Sequence, residues 1–178
     1  MKSHARVVVI GGGIAGVSVL YHLAKKGCTD TLLIEREELT SGSTWHAAGH
    51  VPTYAGSYAL MRAGNYAYRL YRGLAEEVDY SIDYHVTGAF WPAQTDERLH
   101  HFRYLVGLSA CLGYDLNMVS PREIEQAHPF VHVDGLLGGI HDPYEGDIDP
   151  SQATQALAKG ARELGATISR FNPVKGIE

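Results

Sequence analysis

The sequence predicts an α/β fold, α+β overall, organised on a Rossmann-like βαβ unit. Three observations carry that expectation. An apolar, β-branched run, Val7-Val8-Val9-Ile10, flows directly into Gly-x-Gly-x-x-Gly at Gly11, Gly13 and Gly16. A helical pattern follows, and a second apolar run, Thr31-Leu32-Leu33-Ile34, then ends on an acid, Glu35. In a strand-turn-helix of this kind Gly11 permits the tight turn, Gly13 lets a phosphate reach the backbone, and Gly16 lets the helix pack close to the sheet. The helix N-terminus offers unpaired N–H groups and a positive dipole end to a pyrophosphate. Gly12, Ile14, Ala15 and Arg36 fall in the same candidate site by position. A carboxylate at the end of the second strand suits both hydroxyls of an adenosine ribose and repels a 2′-phosphate, which disfavours NADP. The opposing reading is a glycine-rich turn that binds nothing.

Composition narrows the field. At 178 residues, 45% hydrophobic and 20% charged, the chain is ordinary for a globular protein and can bury a sizeable core. Its net charge of −5 and lack of a basic run argue against nucleic acid or an anionic membrane as partner. Cys28 and Cys111 have neither metal-site nor disulfide-framework spacing and read as reduced thiols in a cytoplasmic setting. Lys2, His4 and Arg6 ahead of an apolar run imitate a secretory signal, but the run holds a phosphate-type glycine turn and reads as a fold element. No apolar run approaches membrane-spanning length.

The elements follow in order. Residues 5–10 are continuously apolar, as a buried parallel strand requires. A helix is expected from Ile14 to about Lys26, burying Val17, Leu20, Tyr21 and Ala24 and stopped at Gly27. Residues 36–56 read as a long irregular loop rich in hydroxyls and glycines, a composition that brings backbone close to a ligand. Helical spacing returns through Leu60, Ala63, Ala67, Leu70, Tyr71, Leu74 and Val78, with Tyr58, Tyr66 and Tyr68 as core and rim packing. Residues 84–93 carry strand formers, with Pro92 marking an edge or an end. A helix over residues 96–112 is built on Leu99, Phe102, Leu105 and Leu112. Ser120-Pro121-Arg122-Glu123 is a capping box with proline at the first helical position. Residues 135–148 predict a strand and turn, Asp149 caps a last helix carrying Ala153, Leu157, Ala161 and Leu164, and residues 166–168 and 174–177 each start a strand.

The βαβ unit ending in Glu35, followed by Leu39-Thr40-Ser41-Gly42-Ser43-Thr44-Trp45-His46-Ala47-Ala48-Gly49, resembles the start of the dimethylglycine and sarcosine dehydrogenases. These are FAD-dependent amine oxidoreductases of the D-amino-acid-oxidase-like superfamily. Gly146-Asp147-Ile148-Asp149-Pro150 and the alanine-rich helix behind it fit as well. The resemblance covers essentially the whole chain, and Ser-Thr-Trp-His-Ala-Ala-Gly is its most specific part.

The resemblance implies an FAD-binding domain over residues 1–56, a helical segment with part of an inserted antiparallel-sheet substrate domain over 57–148, and a return to the FAD-binding domain over 149–178. It implies that Gly11, Gly13 and Gly16 hold the FAD pyrophosphate, Glu35 holds the ribose, and Ser43 and Thr44 lie where the loop passes the cofactor. His46 matches the histidine joined covalently to the flavin 8α carbon, a role that suits a neutral imidazole nucleophile. His50 follows closely enough to line the flavin pocket. The other histidines are too scattered for a metal site, and no acid/base residue is named.

The implied activity is oxidation of the N-methyl C–H bond of a small amino acid such as dimethylglycine or sarcosine. Oxygen or an electron-transfer flavoprotein would take the electrons. Family members are far longer and many add a folate-binding domain, so the chain reads as an N-terminal fragment and tetrahydrofolate concerns a longer parent only. The alternatives are another amine flavoprotein oxidase on the same scaffold, or a dinucleotide-binding module without turnover.

Overall fold

The computed structural model describes residues 4–177; Lys2 lies outside them. In chain order the elements are β1 (Val7–Ile10), α1 (Ile14–Lys25), β2 (Thr31–Ile34), β3 (His50–Val51), α2 (Tyr58–Glu77), β4 (Tyr84–Val86) and β5 (Ala89–Ala93). They continue with α3 (Asp96–Cys111), β6 (Asn117–Val119), α4 (Pro121–Ala127), β7 (Gly138–Asp142), β8 (Gly146–Ile148), α5 (Pro150–Glu163) and β9 (Thr167–Ser169). Two compact units result: one holds residues up to Gly49, Tyr71–Tyr84 and the chain from Ile148, and the other holds His50–Leu70 and His85–Asp147.

The first unit is built on a parallel sheet of order β1-β2-β9, in which Val7 is level with Thr31 and Leu32 with Thr167. β2 is the middle strand, and Thr31, Leu32 and Leu33 are all buried, as a continuous apolar run demands. α1 buries Val17, Leu20, Tyr21 and Ala24, the four positions its spacing indicates, and the chain turns at Gly27 with φ +82°. Asp149 opens α5 by accepting the Gln152 N–H at 2.7 Å, with Pro150 behind it. α5 approaches on small residues, and a Cβ on Gly160 would lie 2.9 Å from the Tyr21 ring and 2.7 Å from Val78. Tyr21 in turn donates its hydroxyl to Glu77 at 2.6 Å, while Lys25 donates to Glu77 at 2.6 Å and to the Tyr21 oxygen at 3.1 Å.

The second unit carries an antiparallel sheet of order β5-β7-β6 and a small sheet of order β3-β8-β4. Its core gathers Met61, Ala93, Phe102, Leu105, Tyr114, Leu116 and Ile140. Two carboxylates are buried in it and both are hydrogen-bonded, as burial of charge requires. Asp142 accepts from the Thr53 hydroxyl at 2.5 Å and from the Tyr54 and Tyr144 N–H groups at 3.0 Å each. Glu145 accepts from the Trp91 indole at 3.0 Å and pairs with His50. Burial, and then the charge of Asp142, push the Tyr114 hydroxyl above the usual tyrosine range, so it stays a donor, to the Thr53 carbonyl at 3.1 Å.

Several expectations are corrected. The segment 84–93 is two strands in different sheets, broken at Gly88, whose φ of +72° turns the chain and whose N–H donates to the Glu145 carbonyl at 2.8 Å. β5 is an edge strand, which accommodates Pro92. Within 135–148 the strands β7 and β8 also belong to different sheets. α2 does not bury Leu60, which is 63% exposed; its first turns bury Met61, Asn65 and Tyr68, and its last buries Leu74. Asn117–Val119 forms a strand that its own composition does not announce. Residues 174–177 form no strand, because Phe171 takes φ +55° and the Asn172 N–H turns back onto the Glu35 carbonyl at 2.9 Å.

Candidate cofactor-binding site

Gly11, Gly12, Gly13, Ile14, Ala15, Glu35, Arg36, Ser43 and Thr44 line one open groove of about 370 Å³, together with Ser41 and Gly42. The glycine turn makes its floor. Gly11 takes φ +107°, which a side chain resists, and its N–H is held by the Ile34 carbonyl at 2.9 Å. A Cβ on Gly12 would lie 2.6 Å from Leu39, and one on Gly13 would lie 2.9 Å from Thr44 Oγ1. Gly16 stands behind the groove, where a Cβ would run into the Gly11 carbonyl. It is the packing glycine, allowing α1 to start against the end of β1.

The loop after β2 is tied back over the turn by three contacts. The Thr40 N–H donates to the Gly12 carbonyl at 3.1 Å, with Thr40 itself at φ +74°. Leu39 is buried against Gly12. Thr44 lies within a 3-10 turn at Ser43–His46, and its hydroxyl accepts the Ile14 N–H at 2.9 Å. The Gly13, Ala15 and Gly16 N–H groups have no acceptor among the described residues, and the first turn of α1 holds no acid. Orphan donors, a helix dipole and a wall of small residues fit a pyrophosphate.

Glu35 stands at the end of β2, as expected, and its carboxylate is already bonded within the chain. One carboxylate oxygen accepts the Gly12 N–H at 2.5 Å and the other accepts the Glu37 N–H at 2.9 Å. The charge is fixed between the glycine turn and the loop, and each oxygen keeps a second lone pair for a ligand hydroxyl. Arg36 is exposed and ion-paired to no carboxylate among the described residues.

His46 ends the 3-10 turn, exposed and outside the groove lining. The Trp45 indole N–H donates to His46 Nε2 at 3.0 Å. Indole nitrogen can only donate, so Nε2 accepts, and the proton of the neutral ring sits on Nδ1. His50 belongs to the second unit, held by Glu145.

The sequence reading missed a second recess of about 200 Å³ that shares Gly11, Glu35 and Arg36 and is closed by Ile10, Ile34 and residues 172–174. The usable signal was Asn172-Pro173 directly after a strand, which marks a turn and not the start of another strand.

A family model described as FAD dependent oxidoreductase matches residues 6–178. The chain belongs to this family. It is 37% identical over 177 residues to a mitochondrial dimethylglycine dehydrogenase of Rattus norvegicus, covering 99% of this chain and 21% of that protein. It is 36% identical to a mitochondrial sarcosine dehydrogenase of Homo sapiens, covering 99% of this chain and 19% of the relative. Among solved structures, an L-proline dehydrogenase from P. horikoshii superposes with a TM-score of 0.89 at 28% identity, over 99% of this chain and 46% of that one. The chain thus spans about a fifth of the two dehydrogenases it matches. No helix among the described residues is long and apolar enough to cross a membrane.

Proposed function

We propose that this chain supplies the FAD-anchoring part of an oxidoreductase that demethylates a small N-methylated amino acid, dimethylglycine or sarcosine, by oxidising its N-methyl C–H bond. The observation that carries the reading is the open groove at the glycine turn, walled on one side by Ser43 and Thr44, in a chain matching two relatives named for those substrates. FAD supplies the two-electron acceptor in such chemistry. The residues of this chain bind and orient. The unpaired N–H groups of Gly13 and Ala15 would hold the pyrophosphate, with Gly16 serving the packing of the turn; Glu35 would take the ribose hydroxyls with its remaining lone pairs, and Ser43 would lie beside the cofactor. Thr44 locks the loop by its bond to Ile14. Arg36 offers an uncommitted cation.

His46 would attach to the flavin 8α carbon through Nε2 once the Trp45 N–H releases that lone pair; the 8α C–H proton would leave and the flavin itself would take up the electron pair. Acid precipitation of the full-length protein tests this. Flavin colour and FAD mass should stay with the polypeptide and be released in His46→Ala, and the flavin peptide should carry its bond at Nε2. Wild-type protein that releases all its flavin in acid removes the covalent part of the proposal.

A second reading, oxidation of a cyclic secondary amino acid, is favoured by the TM-score to the L-proline dehydrogenase. Turnover of dimethylglycine, sarcosine and proline by one preparation separates the two.

A further inference from the structure

One helix face in the second unit goes unused by the reading above. Over residues 58–75 the sequence places Arg62, Arg69 and Arg72 and no carboxylate, in a chain whose net charge is −5. Three cations elsewhere are paired, Lys25 with Glu77, Lys159 with Glu163 and Arg170 with Glu38, and Arg36 at the glycine-turn groove is not. Arg62 and Arg69 are ion-paired to no carboxylate among the described residues. Both line an open groove of about 360 Å³, together with Tyr58, Asn65, Tyr66 and the end of α3 at Cys111 and Leu112.

Asn65 is the second observation. It is only 8% exposed, it lines the groove, and its amide has no hydrogen-bond partner among the described residues. Its polar atoms are not sealed from solvent, so the unpartnered amide opens into the groove, where a ligand can hydrogen-bond it. The geometry is that of a receptor. Residues 62 and 69 are seven positions apart, roughly 10 Å along a helix, and Asn65 sits between them on the same side. The N-terminal end of α2 adds positive potential in its first turn. Arginine forks match carboxylate and phosphate oxygens, and an amide adds a neutral donor between them.

We propose that Arg62, Asn65 and Arg69 form a binding site for a small polyanion, one molecule carrying two oxyacid groups spaced to bridge the two guanidinium groups. Carboxylates and phosphates share this chemistry, and citrate and inorganic pyrophosphate are the two probes.

Cys111 is an exposed thiol on the groove wall and reports occupancy. Alkylation of the whole chain by neutral iodoacetamide, followed peptide by peptide at constant ionic strength, should slow at Cys111 by fivefold or more as the better probe saturates. The rate at Cys28 should not change. Calorimetry with the same probe, on protein already loaded with FAD so that the glycine-turn groove is filled, should give a saturable heat. Arg62→Gln or Arg69→Gln should raise the half-saturating concentration tenfold or more, whereas Arg103→Gln on the exposed part of α3 should leave it unchanged. The probe that acts at the lower concentration identifies the ligand as carboxylate or phosphate. Neither protection nor heat with both probes overturns the proposal. So does protection reproduced by potassium chloride, or binding that survives the Arg62→Gln/Arg69→Gln double variant.

Discussion

Replacing Thr44 by valine is the sharpest test of how the loop is held on the glycine turn. The Thr44 side chain is 93% buried by its 7% exposure, and its hydroxyl is the acceptor of the Ile14 N–H at 2.9 Å. Valine keeps the shape and the methyl but removes the acceptor, so a helix-terminal N–H faces carbon. An N-terminal cap contributes about 1 kcal/mol, and leaving its buried donor unsatisfied costs about 1–3 kcal/mol. The expected loss is therefore about 2 kcal/mol. For a chain of this size that is a fall of roughly 4–8 °C in Tm. Thr44→Ser keeps the oxygen and should lose less than about 1 kcal/mol, the methyl alone. Thermal melts of the three proteins, followed by circular dichroism, give the comparison. A valine variant as stable as the wild type, or a serine variant as unstable as valine, would refute the capping argument.

Other consequences follow from the same geometry. Gly160→Ala drives a methyl into Tyr21 and Val78 and should cost about 1–3 kcal/mol by urea denaturation, with the fold kept. Gly16→Ala should abolish FAD retention, measured by flavin absorbance after gel filtration, because its Cβ displaces the Gly11 carbonyl and with it the turn. The Glu77 carboxylate is held below its usual value of 4.5, by the Lys25 hydrogen bond first and that of Tyr21 second, and Lys25 is correspondingly raised, chiefly by Glu77. A depressed acid stabilises the fold above its unfolded pKa and loses that contribution as pH falls through the folded one. The raised lysine contributes below 10.5 and loses its share as pH rises through its folded value. Both side chains are more than 40% exposed, so the pair is worth less than about 1 kcal/mol, and Glu77→Gln should flatten the acid limb of a Tm–pH profile by no more than that. Glu145→Ala leaves the Trp91 indole N–H without its acceptor and should destabilise by about 1–3 kcal/mol in denaturant melts.

What the sequence determined alone was what three or four neighbouring residues can encode. The glycine turn, the caps at Asp149 and Ser120, the turn at Gly27 and the buried face of α1 all rest on local hydrogen bonds and on spacing. They stand where the residues place them. Tertiary structure decided the rest, because strand partners and buried faces depend on groups far away in the chain. The run 84–93 is uniformly strand-forming, yet Gly88 and the Glu145 carbonyl divide it between two sheets. The phase of α2 was set by packing, since alanines and tyrosines on several faces leave its sequence ambiguous and the core took Met61 in place of Leu60. Glu35 was legible as the acid at the strand end, but its bond to Gly12 needed the loop to fold back. The groove between Arg62 and Arg69 was invisible in a chain of net negative charge, because only the folded helix shows which arginines find no carboxylate.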